Sequence, residues 1–241
     1  MSPVLSIVLP CYNEAPSLPV LLGGYARACP AELAAEVVVV DNGSTDDTAA
    51  VLERLVRADT DGARLLRPVK VPVNRGYGHG IATGLRAAGG EFLAWSHADE
   101  QCDPADVFAA FARLRAARDP RRTLIKGRRQ RRPLRESATT IGMQLFARVL
   151  LGTRVTDINA QPKVFHRDLL ARLPAPPDDF SFDLYVLYQA ERAGWTLETV
   201  PVVFRRRAHG VSRWAATWRS LRRHVAATLR YMRALRARGR A

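Results

Sequence analysis

The run "EVVVVDNGS", residues 36–44, limits the fold more than any other stretch. Valines in unbroken succession, closed by Asp-Asn-Gly-Ser, describe a strand that is apolar on both faces and ends in a turn. A strand covered on both sides belongs to a parallel sheet layered between helices. The neighbouring segments fit that sheet. "LSIVLP" (5–10) is a short apolar strand closed by Pro, and a helix starts near Pro16. "TDDTAAVLERLVRA" reads as a helix that Thr45 or Asp46 caps, its first acids facing the positive end of the helix dipole. "ARLLRPVKV" is a weaker strand. "GYGHGIATGLRAAGG" gives a glycine-rich turn, a helix and a glycine stop. "EFLAWS" is the next strand, and "DPADVFAAFARLRAA" the next helix, with Asp103 as cap and Pro104 in its first position. Strand and helix thus alternate from residue 4 to about 117, which means βαβ units. Ligands in such sheets bind beyond the carboxyl ends of the strands. Asp41 and the polar cluster "HADEQCD" at 97–103 are therefore expected in one crevice.

The pattern loosens after residue 117. "TLIKGRRQRRPLRES" is a strand running into a basic loop, and "SATTIGMQLFARVLLG" a helix that Ser137 caps. "AQPKVFHRDLLARL" reads as strand then helix, "FDLYVLYQAERAG" as an amphipathic helix, and "TLETVPVVFRRR" as a strand. No interior linker or repeat divides the chain of 241 residues, which suits one α/β domain over 1–213 and a tail over 214–241.

Charge is unevenly spread. Residues 1–112 hold 8 Lys/Arg against 14 Asp/Glu, whereas residues 205–241 hold 12 Arg and no acid. The whole chain carries +14, and the asymmetry points to an anionic partner. In the tail, Trp214, Trp218, Leu221, Val225, Leu229, Met232 and Leu235 form one apolar helical stripe among arginines. Such a helix suits an anionic membrane surface. It equally suits packing on the domain or on a second protomer, which would make a homodimer. No nucleic-acid reading motif accompanies the arginines, so no nucleic-acid partner is expected. Three cysteines without metal-ligand spacing, no secretory leader, and no apolar run near the ~20 residues of a membrane span predict a cytoplasmic protein. A peripheral place at the inner face of the plasma membrane follows if the tail binds lipid.

Four segments, "SIVLPCYNEAPSL", "VVVVDNGSTDDT", "NRGYGHGIATGLRAAGGEFLAWSHADEQCDP" and "PVVFRRRAHGVSRW", together resemble the family-2 glycosyltransferases of the GT-A fold. Within them the chain is most similar to the dolichyl- and polyprenyl-phosphate sugar synthases. The resemblance covers residues 3 to 214. It implies an inverting transferase that moves a sugar from a UDP-, GDP- or TDP-linked donor with Mg²⁺ or Mn²⁺ on the diphosphate. The acceptor would be a polyprenyl phosphate or a similar lipid-linked group, or else a hydroxyl of a soluble molecule or glycan. A nucleotidyltransferase lacks its glycine-rich, lysine-bearing signature here, and the acidic first half argues against a purely basic binding module.

Residue by residue, Asp41 ends a strand where its carboxylate accepts from a base N–H or ribose hydroxyls, and it also suits an Asx-turn. The resemblance places Pro10, Tyr12, Asn13 and Glu14 against the nucleoside. Gly76 begins a glycine-rich turn whose N–H groups either approach phosphates or merely allow a tight loop. Where the family has Asp-Ala-Asp, this chain has His97-Ala98-Asp99. Asp99 matches the metal- and diphosphate-binding acid and Gln101 the following glutamine. His97 replaces the first acid and either ligates a tolerant metal such as Mn²⁺, bonds the nucleotide, or is a satisfied polar contact. Asp183 stands where the family's general base often sits. A phosphate acceptor is already anionic and needs no base. Lys126, Arg128, Arg129 and Gln161 are candidates for the acceptor phosphate. Arg207, His209 and Ser212 match the family's "RxxGxS" segment and could reach either phosphate.

Overall fold

The computed structural model describes residues 2–58, 60–130, 134–205 and 218–238. Seven strands form one sheet: β1 (Leu5–Cys11), β2 (Ala35–Asn42), β3 (Leu66–Val71), β4 (Phe92–Trp95), β5 (Thr123–Arg129), β6 (Lys163–His166) and β7 (Thr196–Val202). Their order is β3-β2-β1-β4-β6-β5-β7. All neighbours run parallel except β6, which is antiparallel to both β4 and β5. The helices are α1 (Leu18–Ala28), α2 (Thr48–Arg57), α3 (Asp61–Leu65), α4 (Tyr77–Ala87), α5 (Pro104–Arg115), α6 (Leu134–Leu151), α7 (Phe182–Arg192) and α8 (Trp218–Arg238). This mostly parallel, helix-flanked sheet is the expected GT-A arrangement.

The valine run behaves as a doubly covered strand must. Val37 and Val39 face one apolar cluster with Leu21, Leu22 and Phe111 from α1 and α5. Val38 and Val40 face the other, with Ile81 and Leu85 from α4. Each such side chain contributes about 1.5–3 kcal/mol on burial. Helix α4 lies so close to β1 and β2 that a Cβ on Gly84 would stand 2.3 Å from a Val8 methyl.

Two local expectations change and one open alternative closes. Helix α6 begins at Leu134, so Ser137 lies inside it rather than capping it. The segment after β6 is a 3-10 helix, Arg167–Arg172. The tail helix α8 packs against α6, and Met232 and Leu235 are buried in the same cluster as Tyr185 and Leu187. The end of the apolar stripe therefore packs on the domain. Trp214, Arg207, His209 and Ser212 lie outside the described residues. Among the described residues no helix is long and apolar enough to cross a membrane.

Candidate functional site

Strand order builds the crevice. Strand β1 sits between β2 and β4, and its last residue, Cys11, is in register with Asp41. The chain runs outward from β1 through β2 to β3 and then crosses to β4 on the other side of β1, which makes the carboxyl edge between β1 and β4 a topological switch point. The Cys11 thiol is fully buried there and is pushed well up by burial, then by the charges of Glu14, Asp41 and Asp99. Carboxylates from three separate segments therefore converge on one strand end.

On the β2 side, Asp41 Oδ1 accepts from Ser44 N at 2.9 Å, which is the Asx-turn. Its turn is laced to the loop after β1. Asn13 N donates to Ser44 Oγ (3.0 Å), Thr45 N to Asn13 Oδ1 (2.8 Å) and Glu14 N to Thr48 Oγ1 (3.1 Å). Asn13 holds a left-handed backbone, φ 57°, to make these bonds. Pro10, Tyr12, Asn13 and Glu14 are all partly exposed at this rim. A cavity of about 340 Å³ opens beside Asp41, between α2 and β3.

On the β4 side, Asp99 is nearly buried at 4% exposure, and its Oδ1 accepts from Gln101 N at 3.2 Å. Glu100 between them has φ 61°, so the loop is held in a strained turn of the kind found at functional sites. Gln101 is tied on both sides of its own backbone. Arg205 N donates to Gln101 O (2.9 Å) and Gln101 Nε2 donates to Arg205 O (3.2 Å). His97 lies between Tyr77, stacked at 6.0 Å, and Phe204, edge-on at 5.9 Å. Ala98 is buried beside it.

The glycines of the 74–80 turn have a packing role. A Cβ on Gly76 would meet Asp178 O at 2.4 Å, and one on Gly78 would meet Pro177 O at 2.2 Å. Gly76 N donates to Asn74 Oδ1 at 2.9 Å. The loop ahead of α7 packs against both glycines, which accounts for them as close-approach positions.

A buried polar cluster from β5, β6 and α7 joins the site through Tyr77, which stacks on His97 and accepts from Gln161. Asp183, in the first turn of α7, is 1% exposed and forms an ion pair with the fully buried Lys163. Gln161 Nε2 bridges Asp183 Oδ1 (3.1 Å) and Tyr77 Oη (3.0 Å), and Gln161 Oε1 is buried without a hydrogen-bond partner. Lys126 stands directly across from Lys163 in the sheet. Its ammonium donates to Gly127 O at 2.9 Å. Burial, then the neighbouring Lys163 charge, lowers its pKa to about 7. Arg129 makes a two-pronged pair with Asp157 and covers the Phe204 ring at 5.2 Å. Arg128 is exposed. Sequence reading missed Lys163, Tyr77 and Phe204. The signal for Lys163 was a lone cation opening an otherwise apolar strand.

A family description, Glycosyl transferase family 2, matches residues 6–174. The chain belongs to this family. Among curated relatives, the glycosyltransferase is 28% identical over 222 residues to polyprenol monophosphomannose synthase of Mycolicibacterium smegmatis, covering 88% of this chain and 81% of the relative. It is 32% identical over 220 residues to an uncharacterised glycosyltransferase of Mycobacterium tuberculosis, covering 89% and 91%. Glucosyl-3-phosphoglycerate synthase from Mycobacterium tuberculosis, solved with Mn²⁺, UDP-glucose and phosphoglyceric acid, superposes with a TM-score of 0.72 at 23% identity, covering 96% of this chain and 80% of that one. A mannosyltransferase from Pyrobaculum calidifontis with GDP-Man and Mn²⁺ gives 0.66 at 26% identity, covering 95% and 65%.

Whether a divalent metal fits this glycosyltransferase is a question of donors. Among the described residues no group of three His, Cys, Asp or Glu stands ready to hold a metal unaided. Mg²⁺ bound through substrate phosphates needs only one or two carboxylates. Asp99 supplies one at the strand end, with His97 two residues earlier. The donor set fits a metal that arrives with a diphosphate.

Proposed function

We propose that this family-2 glycosyltransferase moves a sugar from a nucleoside-diphosphate sugar to a polyprenyl phosphate, with inversion at the anomeric carbon. The observation that carries the reading is the pair of buried lysines, Lys126 and Lys163, in register across β5 and β6. Asp183 is committed to Lys163 and Asp157 to Arg129, while the Lys126 ammonium has a backbone carbonyl as its hydrogen-bond acceptor. A buried cation is costly, and at Lys126 burial and the Lys163 charge outweigh the nearby Asp157 and Asp183 carboxylates. An anionic acceptor relieves that cost, whereas a neutral hydroxyl does not. The relative acting on polyprenol phosphate supports the same acceptor class.

In this reading Asp41, Pro10, Tyr12, Asn13 and Glu14 hold the nucleoside. Asp99, with His97 and Ala98 beside it, faces the diphosphate and its Mg²⁺ or Mn²⁺. The metal, when bound, offsets charge on the departing diphosphate. Lys126, Lys163 and Arg129 hold the acceptor phosphate, joined by Gln161 and by Arg207, His209 and Ser212. One acceptor oxygen attacks the anomeric carbon on the side away from the donor diphosphate. The carbon–oxygen bond to that diphosphate breaks, and its electron pair leaves with the nucleotide. No proton has to be removed, so Asp183 serves to position Lys163 rather than as a base.

The direct test is a screen of UDP-, GDP- and TDP-sugars with Mn²⁺ or Mg²⁺, using polyprenyl phosphate and neutral hydroxyl acceptors. The expected result is transfer to the phosphate alone. Turnover restricted to hydroxyl acceptors would overturn the reading. The matching nucleoside diphosphate with metal should also raise Tm by mass action.

A pH dependence follows from Lys126. With its pKa near 7, acceptor kcat/KM should fall as pH climbs above about 7, and Lys126→Arg should flatten the profile, since arginine stays charged. Stability has the opposite slope. Between about pH 7 and the unfolded lysine value of 10.5 the unfolded chain binds more protons at this site, so stability rises with pH. Lys126→Met should therefore raise Tm most at about pH 6 and progressively less at alkaline pH, read by calorimetry.

A further inference from the structure

Tyr77, the first residue of α4, touches both halves of the site. Its ring stacks on Phe180 at 4.9 Å and on His97 at 6.0 Å. Phe180 belongs to the loop ahead of α7, which is tied back to α4 where Arg75 and His79 meet Asp178 at 3.0 and 3.2 Å. His97 belongs to the loop that carries Asp99. The Tyr77 hydroxyl accepts from Gln161 Nε2, which also donates to Asp183, the partner of Lys163. A chain of contacts therefore runs from the Asp99 loop to the buried lysines.

Gln161 is the member of that chain with two discrete arrangements. It is fully buried, and among the described residues its Oε1 has no hydrogen-bond partner. Turning the amide over would let Oε1 accept from the Tyr77 hydroxyl, but would set that oxygen against the Asp183 carboxylate. Burial, then the Asp183 charge, holds the Tyr77 phenol well above its usual pKa, so it keeps the proton that the second arrangement uses. Because a buried acceptor without a donor is costly, the arrangement seen here is less favoured over its alternative than a fully satisfied amide would be. As found, Gln161 shares the Asp183 carboxylate with Lys163. Turned over, it leaves Asp183 to Lys163 alone.

We propose that Tyr77 is a positioning residue that couples the two substrates: with nucleoside diphosphate and metal at Asp99, it keeps the Gln161 amide on Asp183, which frees Lys163 for the acceptor phosphate. The inference rests on the phosphate-acceptor reading and goes beyond it, because it makes the affinity for one substrate depend on the other. The route is short. A diphosphate at Asp99 fixes the 97–101 loop, and His97 in that loop is stacked on the Tyr77 ring. The ring sets the place of the hydroxyl, and the hydroxyl selects between the two amide arrangements. A two-state element biased from both sites is what such a coupling requires.

The test is calorimetric titration of the full chain with farnesyl phosphate, a short isoprenyl monophosphate. It is run with and without Mn²⁺ and whichever of UDP, GDP and TDP gives the largest melting shift. Wild type should bind the monophosphate about 5–150-fold more tightly with nucleotide and metal present, the usual span of such couplings. Tyr77→Phe keeps the stacked ring and removes the hydroxyl. Its nucleotide affinity should match wild type, while the coupling factor falls to within about two-fold of one. In turnover its acceptor KM should rise and its kcat change far less. Gln161→Met cuts the same link from the other end and should lose the coupling equally, with no further loss in the double variant. A merely structural role would weaken both ligands together and leave the factor unchanged. A wild-type factor of one, or equal factors in wild type and both single variants, would overturn the inference while the phosphate acceptor stands. Farnesyl phosphate that binds in neither state would overturn the acceptor reading, and the inference with it.

Discussion

Asp99→Asn should lower sugar transfer by about 10²–10³-fold or more, the range seen when one preorganised charge-stabilising group is removed from an active site. The fold should survive. The amide matches the carboxylate in volume and its oxygen still accepts from Gln101 N, as Asp99 Oδ1 does at 3.2 Å. A stability change within about 1 kcal/mol is expected. The two readouts separate the roles. If Asp99 faces the metal-bound diphosphate, the Tm gain from nucleoside diphosphate with Mn²⁺ should shrink together with the activity. A variant that transfers sugar within a few-fold of wild type would remove Asp99 from the site.

Lys163→Met should lower stability by about 3–5 kcal/mol, because it strands the Asp183 carboxylate in a buried place without its partner. For a chain of this length that is a drop in Tm of roughly 6–20 °C. The double variant Lys163→Met/Asp183→Asn removes both charges and should recover most of the loss, since replacing a whole buried pair is often near neutral. Transfer to a phosphate acceptor should remain low in the double variant, because the cation is still missing. Asp183→Asn alone gives the complementary result. A general base would lose kcat by orders of magnitude, whereas a residue that positions Lys163 should lose far less, mainly through acceptor KM. A collapse of kcat with unchanged acceptor KM would return Asp183 to the role of base.

The first half of the molecule was legible because its signals are local. Valines 37–40 alternate between two cores, and Asp103 caps α5 by accepting from Ala105 N. Asp41 and Asp99 were expected in one crevice because parallel strands put their carboxyl ends on one edge. What the sequence could not show is long-range. Hydrophobic pattern carries no strand direction, so the reversal of β6 was invisible. Gly76 and Gly78 left a phosphate turn and a tight loop open, and the loop they pack against lies a hundred residues away in the chain. Asp183 stood out as a candidate base, but its pairing with Lys163, twenty positions earlier, appears only when β6 and α7 bury them together. Helix α6 hides its start for a related reason: apolar residues on both faces blur the period from which helix ends are read.

In the proposed assignment the single reversed strand separates the donor residues from the acceptor residues. Every residue assigned to the donor precedes β5, and those described on the acceptor wall follow from β5 to α7. Within the sheet the halves meet at one seam of four residue pairs, from Phe92↔His166 to Trp95↔Lys163. Backbone pairing across such a seam is indifferent to most side chains. Under the proposed assignment, a change of recipient can be confined to residues 123–192 while the residues assigned to the nucleotide stay in place.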